Sequence, residues 1–168
     1  MNIREKAERL IYDAHKGQFR RYTNEPFVVH PLAVAQLVSY VTDDEATIVA
    51  ALLHDVIEDT TVTKEMIEAG FGLEISALVS EVTNVTKKSD GNREWRKARE
   101  REHLAVASPR AKTIKLADIL DNVPSIIKYD PGFARIYVVE KKALLEFLAE
   151  GNESLYFDAK RLIDDFVC

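Results

Sequence analysis

A single cysteine, Cys168 at the last of 168 positions, leaves the chain unable to form an intrachain disulfide or a cysteine-based zinc cluster. Any metal must be held by histidine and carboxylate. Long apolar runs are also lacking. The longest, Ala46 to Ile57, is interrupted by Thr47, His54 and Asp55 and falls short of the ~20 apolar residues that a membrane span requires. The opening Met1-Asn2-Ile3-Arg4-Glu5-Lys6 has neither the apolar core nor the small-residue cleavage site of a signal peptide, so a cytoplasmic protein is expected, with no membrane partner. An excess of positive charge is missing too: the formal net charge is −5, which argues against binding a nucleic-acid backbone. A phosphate-bearing small molecule is compatible with that charge, because a local basic patch or a bound cation reverses the field at one site.

With 46% hydrophobic and 30% charged residues, the chain has the composition of an ordinary globular protein, and its length suits one domain spanning 1–168. Nearly every segment carries the three-to-four-residue apolar spacing of a helix with one buried face, beginning with Ile3, Ala7, Leu10, Ile11 and Ala14. No strand pattern, internal repeat or low-complexity linker interrupts it. Pro31 suits the first position of a helix and puts His30 at its mouth. Thr42-Asp43-Asp44-Glu45 has the form of a capping box before a buried central helix. Ser108-Pro109 opens a later helix, Pro124 and Tyr129-Asp130-Pro131-Gly132 break the pattern, and two helices follow over about 134–150 and 154–166. The expectation is an all-α fold of about eight helices.

The chemistry lies where ionisable residues invade apolar sequence. In Leu53-His54-Asp55-Val56-Ile57-Glu58-Asp59, the pairs His54/Glu58 and Asp55/Asp59 are each four apart and form adjacent rows on one helical stripe. Lys115 to Asn122 repeats the logic with Asp118 and Asn122. Together His30, His54, Asp55 and Asp118 offer two imidazoles and two carboxylates, a set suited to manganese, iron or zinc with coordination positions left for water and substrate.

Each residue also has a plainer reading. A lone buried histidine is more often a hydrogen-bonded structural residue, and Asp118 is equally well read as half of a buried ion pair with Lys115 or Lys112. Four polar residues on consecutive turns of an apolar helix are harder to assign to packing, because a core gains nothing from so many charges. His15, followed by Gly17-Gln18-Phe19-Arg20-Arg21, ends the first helix near a turn, where the arginines are either solvated or phosphate-binding. From Lys87 to Arg101 seven Lys/Arg face three Asp/Glu, a local +4 that reads as a solvated helix or as a basic flap over a polyphosphate.

Five ordered motifs carry a resemblance: Ala14 to Arg21, Asn24 to Pro31, Ala50 to Thr60, Phe71-Gly72 and Lys115 to Asn122. Over about its first three quarters the chain resembles the HD-domain phosphohydrolases, and within them the hydrolase domain of the RelA/SpoT alarmone enzymes and their small stand-alone relatives. The resemblance implies that His30, His54, Asp55 and Asp118 bind one divalent metal ion, Mn²⁺. It implies that Glu58 and Asp59 position and activate the attacking water, that Arg20 and Arg21 contact phosphate or base, and that Asn122 contacts the ribose or its 3′ substituent. The implied reaction of the stringent response is hydrolysis of the 3′-pyrophosphate of (p)ppGpp, and the length leaves no room for the synthetase and regulatory domains of the long members. The family often has Gly-Glu-Pro-Tyr where this chain has Asn24-Glu25-Pro26-Phe27, and often a histidine at the place of Asp121.

Two rivals stand beside that reading. One is the same hydrolase acting on another phosphorylated nucleotide, such as a 3′-nucleotide or the 2′-phosphate of NADPH. The other is a metal-free regulatory binding module on the same frame. The last two helices, with Tyr137, Leu145, Phe147, Leu155 and Phe166, either pack onto the core or offer an apolar stripe for pairing with a second copy.

Overall fold

The computed structural model describes residues 1–167; Cys168, on which the cysteine reading rests, lies outside them. Contacts divide the chain into two compact units, Met1–Thr83 and Asn84–Cys168. Among the described residues the fold is all-α with no strand, and one isolated antiparallel bridge joins Phe19 and Pro26.

The first unit contains α1 (Ile3–Ala14), α2 (Val29–Ser39), α3 (Glu45–Leu53), α4 (Val56–Asp59), α5 (Lys64–Phe71) and α6 (Leu73–Val82). Helix α3 is its centre. Every residue from Thr47 to Leu53 is buried, as an all-round apolar helix requires, and α1, α2 and α6 pack against it. Fully buried side chains such as Leu52 and Leu53 each contribute about 1.5–3 kcal/mol. The entry to α1 is a true capping box, with the Asn2 side chain accepting from the Glu5 amide at 2.8 Å and Glu5 accepting from the Asn2 amide at 2.9 Å. The box expected at Thr42 does not form. Thr42 Oγ1 instead accepts the Asp44 amide at 3.1 Å two residues on, and Asp44 takes the cap position while its carboxylate accepts from the Thr47 hydroxyl. Pro31 sits in the first turn of α2, two residues later than expected, where its missing N–H still costs nothing.

The second unit contains α7 (Arg93–Ala105), α8 (Pro109–Tyr129), α9 (Pro131–Leu145) and α10 (Glu153–Val167), with α8, α9 and α10 mutually packed. Ser108 caps α8 by accepting the Ala111 amide at 3.3 Å, and Pro109 fills the first turn. The expected break at Pro124 is absent: α8 runs through it for 21 residues. Pro124 is exposed and flanked by buried Val123 and Ile126, so packing on both sides outweighs the one backbone hydrogen bond that proline removes. Asp130 accepts the Phe133 amide at 3.1 Å and thereby starts α9 at Pro131 rather than at 134, and α9 ends at Leu145, short of 150.

The basic helix α7 is not merely solvated. Glu100 is 6% exposed and is ringed by Lys97 at 2.5 Å, Lys141 at 3.6 Å and Lys115 at 3.7 Å. Burial alone would raise the Glu100 pKa, but the three ammonium groups hold it at about 2. None of the helices among the described residues is long and apolar enough to cross a membrane.

Candidate metal centre

The central apolar run does not continue as one helix through the His-Asp pair, and this break contributes one of the two helices by which the ten among the described residues exceed the expected eight. Helix α3 ends at Leu53, and Asp55 has φ −100° and ψ −8°, the bridge conformation in which active-site residues often sit. A helix end leaves its last four carbonyls without intrahelical partners. His54 satisfies one of them, its Nδ1 donating to the Ala51 carbonyl at 2.7 Å. That bond sets the tautomer and turns the Nε2 lone pair of the neutral ring away from the helix.

His54 Nε2 lies 3.2 Å from His30 Nε2 and 3.2 Å from Asp55 Oδ2, and His30 Nε2 lies 3.3 Å from the same carboxylate oxygen. The three donor atoms fall within 4.8 Å of one another. Two imidazole nitrogens and a carboxylate oxygen converging in a site only 3–4% exposed at the histidines repel one another unless a proton or cation stands among them. The donor set and its convergence fit a divalent cation, and the more open Asp55, 21% exposed, leaves access for water and substrate. Burial tends to raise the Asp55 pKa, but the His54 and His30 rings overcome it and hold the carboxyl well below its usual range.

Glu58 and Asp59 form the second half of α4, one turn beyond Asp55, and both are exposed. Asp59 is pushed up to about 6 by partial burial and by the carboxylates of Asp55 and Glu58, a value suited to a base near neutral pH.

Arg20 and Arg21 lie on a tight hairpin between α1 and α2. Phe27 donates its amide to the Gln18 carbonyl at 3.0 Å, Arg20 to the Glu25 carbonyl at 2.8 Å, and Asn24 to the Arg20 carbonyl at 3.0 Å. Arg21 is exposed, with its guanidinium 5.3 Å from the Tyr22 ring centre. The turn holds Asn24 at φ +57°, in the left-handed region that its short side chain tolerates. Asn24→Gly is expected to leave the melting temperature nearly unchanged, whereas Asn24→Val should cost about 1–2 kcal/mol, a fall of about 2–8 °C in a thermal melt. The phenylalanine at position 27 fills a structural place between two histidines, its ring centre 4.7 Å from His15 and 5.8 Å from His30.

Asp118 and Asn122 lie on α8 in the second unit, where Asn122 Nδ2 donates to Asp118 Oδ1 at 2.6 Å and Lys115 Nζ pairs with Asp118 Oδ2 at 2.8 Å. Of the two ion-pair partners the sequence offers, Lys115 takes Asp118, while Lys112 pairs with Glu150. Among the described residues, His30, His54 and Asp55 are the group brought together as potential ligands. No sequence pattern singles out Gln18, whose side chain donates to the Asp59 carbonyl at 2.8 Å across 41 residues; the local signal for it is a polar amide next to a glycine turn.

Comparison with known proteins bears on the family and the fold. Residues 7–137 match the HD domain family. A probable guanosine-3′,5′-bis(diphosphate) 3′-pyrophosphohydrolase of Synechocystis sp. is 40% identical over 143 residues, 83% of this chain and 19% of that protein. The guanosine-3′,5′-bis(diphosphate) 3′-pyrophosphohydrolase of Aquifex aeolicus is 42% identical over 114 residues, 66% of this chain and 16% of that protein. The chain thus spans less than a fifth of the length of these curated relatives. A solved structure described as a metazoan ortholog of SpoT that hydrolyzes ppGpp and plays a role in starvation responses superposes with a TM-score of 0.89 at 32% identity, covering 98% of this chain and 96% of that one. A protein of Listeria monocytogenes EGD-e superposes with a TM-score of 0.72 at 28% identity, covering 88% of this chain and all of its own. With its family match spanning most of the chain and a solved relative aligned from end to end, the chain belongs to the HD domain family.

Proposed function

We propose that this chain hydrolyses the 3′-pyrophosphate of (p)ppGpp, releasing pyrophosphate and GDP or GTP, and that residues 1–168 act as one HD-type domain in the cytoplasm. The observation that carries the reading is the convergence of His30 Nε2, His54 Nε2 and Asp55 Oδ2, followed one turn later by Asp59 with its raised pKa. The naming of relatives for this reaction, one of them matched over 96% of its length, supports the same substrate.

In this reading His30, His54, Asp55 and Asp118 would hold one divalent ion, Mn²⁺. When bound, the ion supplies Lewis-acid charge that acidifies water and offsets the charge growing on the pyrophosphate. Glu58 orients the attacking water and Asp59 accepts its proton. The water oxygen bonds to the phosphorus next to the ribose, the P–O bond to the 3′ oxygen breaks, and that oxygen leaves as the 3′-hydroxyl after taking up a proton. Arg20 and Arg21 hold phosphate oxygens, Arg through its planar fork, and Asn122 contacts the ribose or its 3′ substituent.

Incubation of the purified protein with ppGpp and Mn²⁺, resolved by ion exchange, tests this directly. GDP and pyrophosphate are expected to appear, and to vanish with EDTA or in the Glu58→Ala/Asp59→Ala variant. Stoichiometric metal without turnover of ppGpp would overturn the substrate and move the search to NADPH and other phosphorylated nucleotides.

A further inference from the structure

His15 is 2% exposed and sits at the end of α1, where the positive φ of Gly17, +80°, turns the chain so that Gln18 faces back towards it. Its Nδ1 is 2.9 Å from Gln18 Oε1, and Gln18 Nε2 is 2.8 Å from the backbone carbonyl of Asp59. The direction of this chain is forced. A carbonyl only accepts, so Gln18 must turn its NH₂ to Asp59 and its oxygen to His15, and His15 must therefore carry its proton on Nδ1. In the neutral ring Nε2 then holds a lone pair, and that atom is buried without a hydrogen-bond partner.

A phenylalanine would fill the same volume without an unsatisfied nitrogen, so what histidine adds at this position is the Nδ1–H donor. Two connections meet at its ring. One is the hydrogen-bonded path through Gln18 to Asp59. The other is a stack of rings, His15 on Phe27 at 4.7 Å, Phe27 edge-on to His30 at 5.8 Å, and His30 to His54 at 5.0 Å. Helix α4 has only four residues, and its terminal carbonyls have no helical partners of their own. Gln18 caps the one belonging to Asp59, while the Thr60 hydroxyl donates to the Val56 carbonyl at 2.5 Å.

We propose that His15 and Gln18 are positioning residues: they hold the Asp59 backbone, and with it the carboxylate that takes the proton from water, at a set distance from the His30–His54 pair. This rests on the proposed hydrolase reading for its kinetic consequence but not for its structural one. Misplacing a reacting group by about 1 Å can lower a rate by about 100-fold, so the loss should fall on kcat.

The test uses the full chain, His15→Phe and Gln18→Met. In nitrogen-15 NMR the wild-type His15 ring should be the Nδ1–H tautomer, and the carbon-13 resonance of the Asp59 carbonyl should move in both variants. With ppGpp and Mn²⁺, kcat should fall about 10- to 100-fold with KM changed less than about twofold. His15→Phe should melt no lower than wild type, and Mn²⁺ should still raise both melting temperatures. A merely structural role predicts lower melting temperatures with unchanged kcat, and that result would overturn the proposal. So would an Nε2–H tautomer at His15, or an Asp59 carbonyl indifferent to both substitutions. Absence of wild-type turnover would instead sink the substrate reading, and the two NMR readouts would then decide the positioning role alone.

Discussion

Replacement of His54 by alanine is expected to abolish both metal binding and turnover, a loss of at least about 1,000-fold in kcat/KM, because the charge that drives the reaction goes with the ligand. The ring is pinned by its bond to the Ala51 carbonyl, and nothing else in α3 can bring a nitrogen to the same point. Removing it leaves the converging group of His30 and Asp55 one imidazole short. The readout that isolates the effect is thermal. With Mn²⁺ at about 100 times its Kd, wild type should gain about 2.7 kcal/mol, or about 5–10 °C for a chain of this length. His54→Ala should gain nothing from the same addition while keeping its helical circular dichroism. A variant still stabilised by Mn²⁺ and carrying it in elemental analysis would show that the ion sits elsewhere.

Asp59→Asn should separate activity from stability in opposite directions. In its proposed role of proton acceptor, Asp59 is expected to be worth about 100- to 10,000-fold in kcat. Its folded pKa, about 6 against 3.8 for the free group, means that the folded state holds this proton more tightly than the unfolded chain does. Stability from that group is fully present below about pH 4 and is lost as pH rises through about 6. Above that, Asp59 is an anion crowded by Asp55 and Glu58, and the amide removes the repulsion. Because the side chain is only partly buried, solvent screening limits the gain to about 1 kcal/mol, or about 2–4 °C at pH 8 in EDTA, shrinking to nothing by pH 4. For wild-type activity the sign is the reverse: the base must be ionised, so kcat/KM should fall as pH drops through about 6, or lower when a bound cation draws the pKa down. An unchanged kcat in the variant, or a melting point that drops at pH 8, would remove Asp59 from the role of base.

Much of the fold was legible because helix signals are local. The apolar period of α1 and the Ser108-Pro109 start of α8 lie within a few residues of the structure they specify. Where the structure departs from a local rule, a competing interaction outranks it. Pro124 passes through α8 because Val123 and Ile126 are buried on either side of it. The Thr42 box is lost because the Asp44 carboxylate takes the Thr47 hydroxyl and Asp44 becomes the cap. Glu100 is hidden in a segment that reads as basic and solvated, because two of its three lysines, Lys115 and Lys141, come from other helices.

The sequence by itself determined the helical class, the charged fragment from His54 to Asp59 and the place of His30 at a helix start, because charge cannot stand in apolar sequence without a partner or a purpose. Only the tertiary structure decided that the helix parts at His54, that His30 meets it at 3.2 Å, and that Gln18 reaches Asp59. The physical reason is range. Periodicity and caps act over one or two turns of chain, whereas the site is made by hydrogen bonds and donor atoms brought together across 24 and 41 residues, whose geometry no local pattern records.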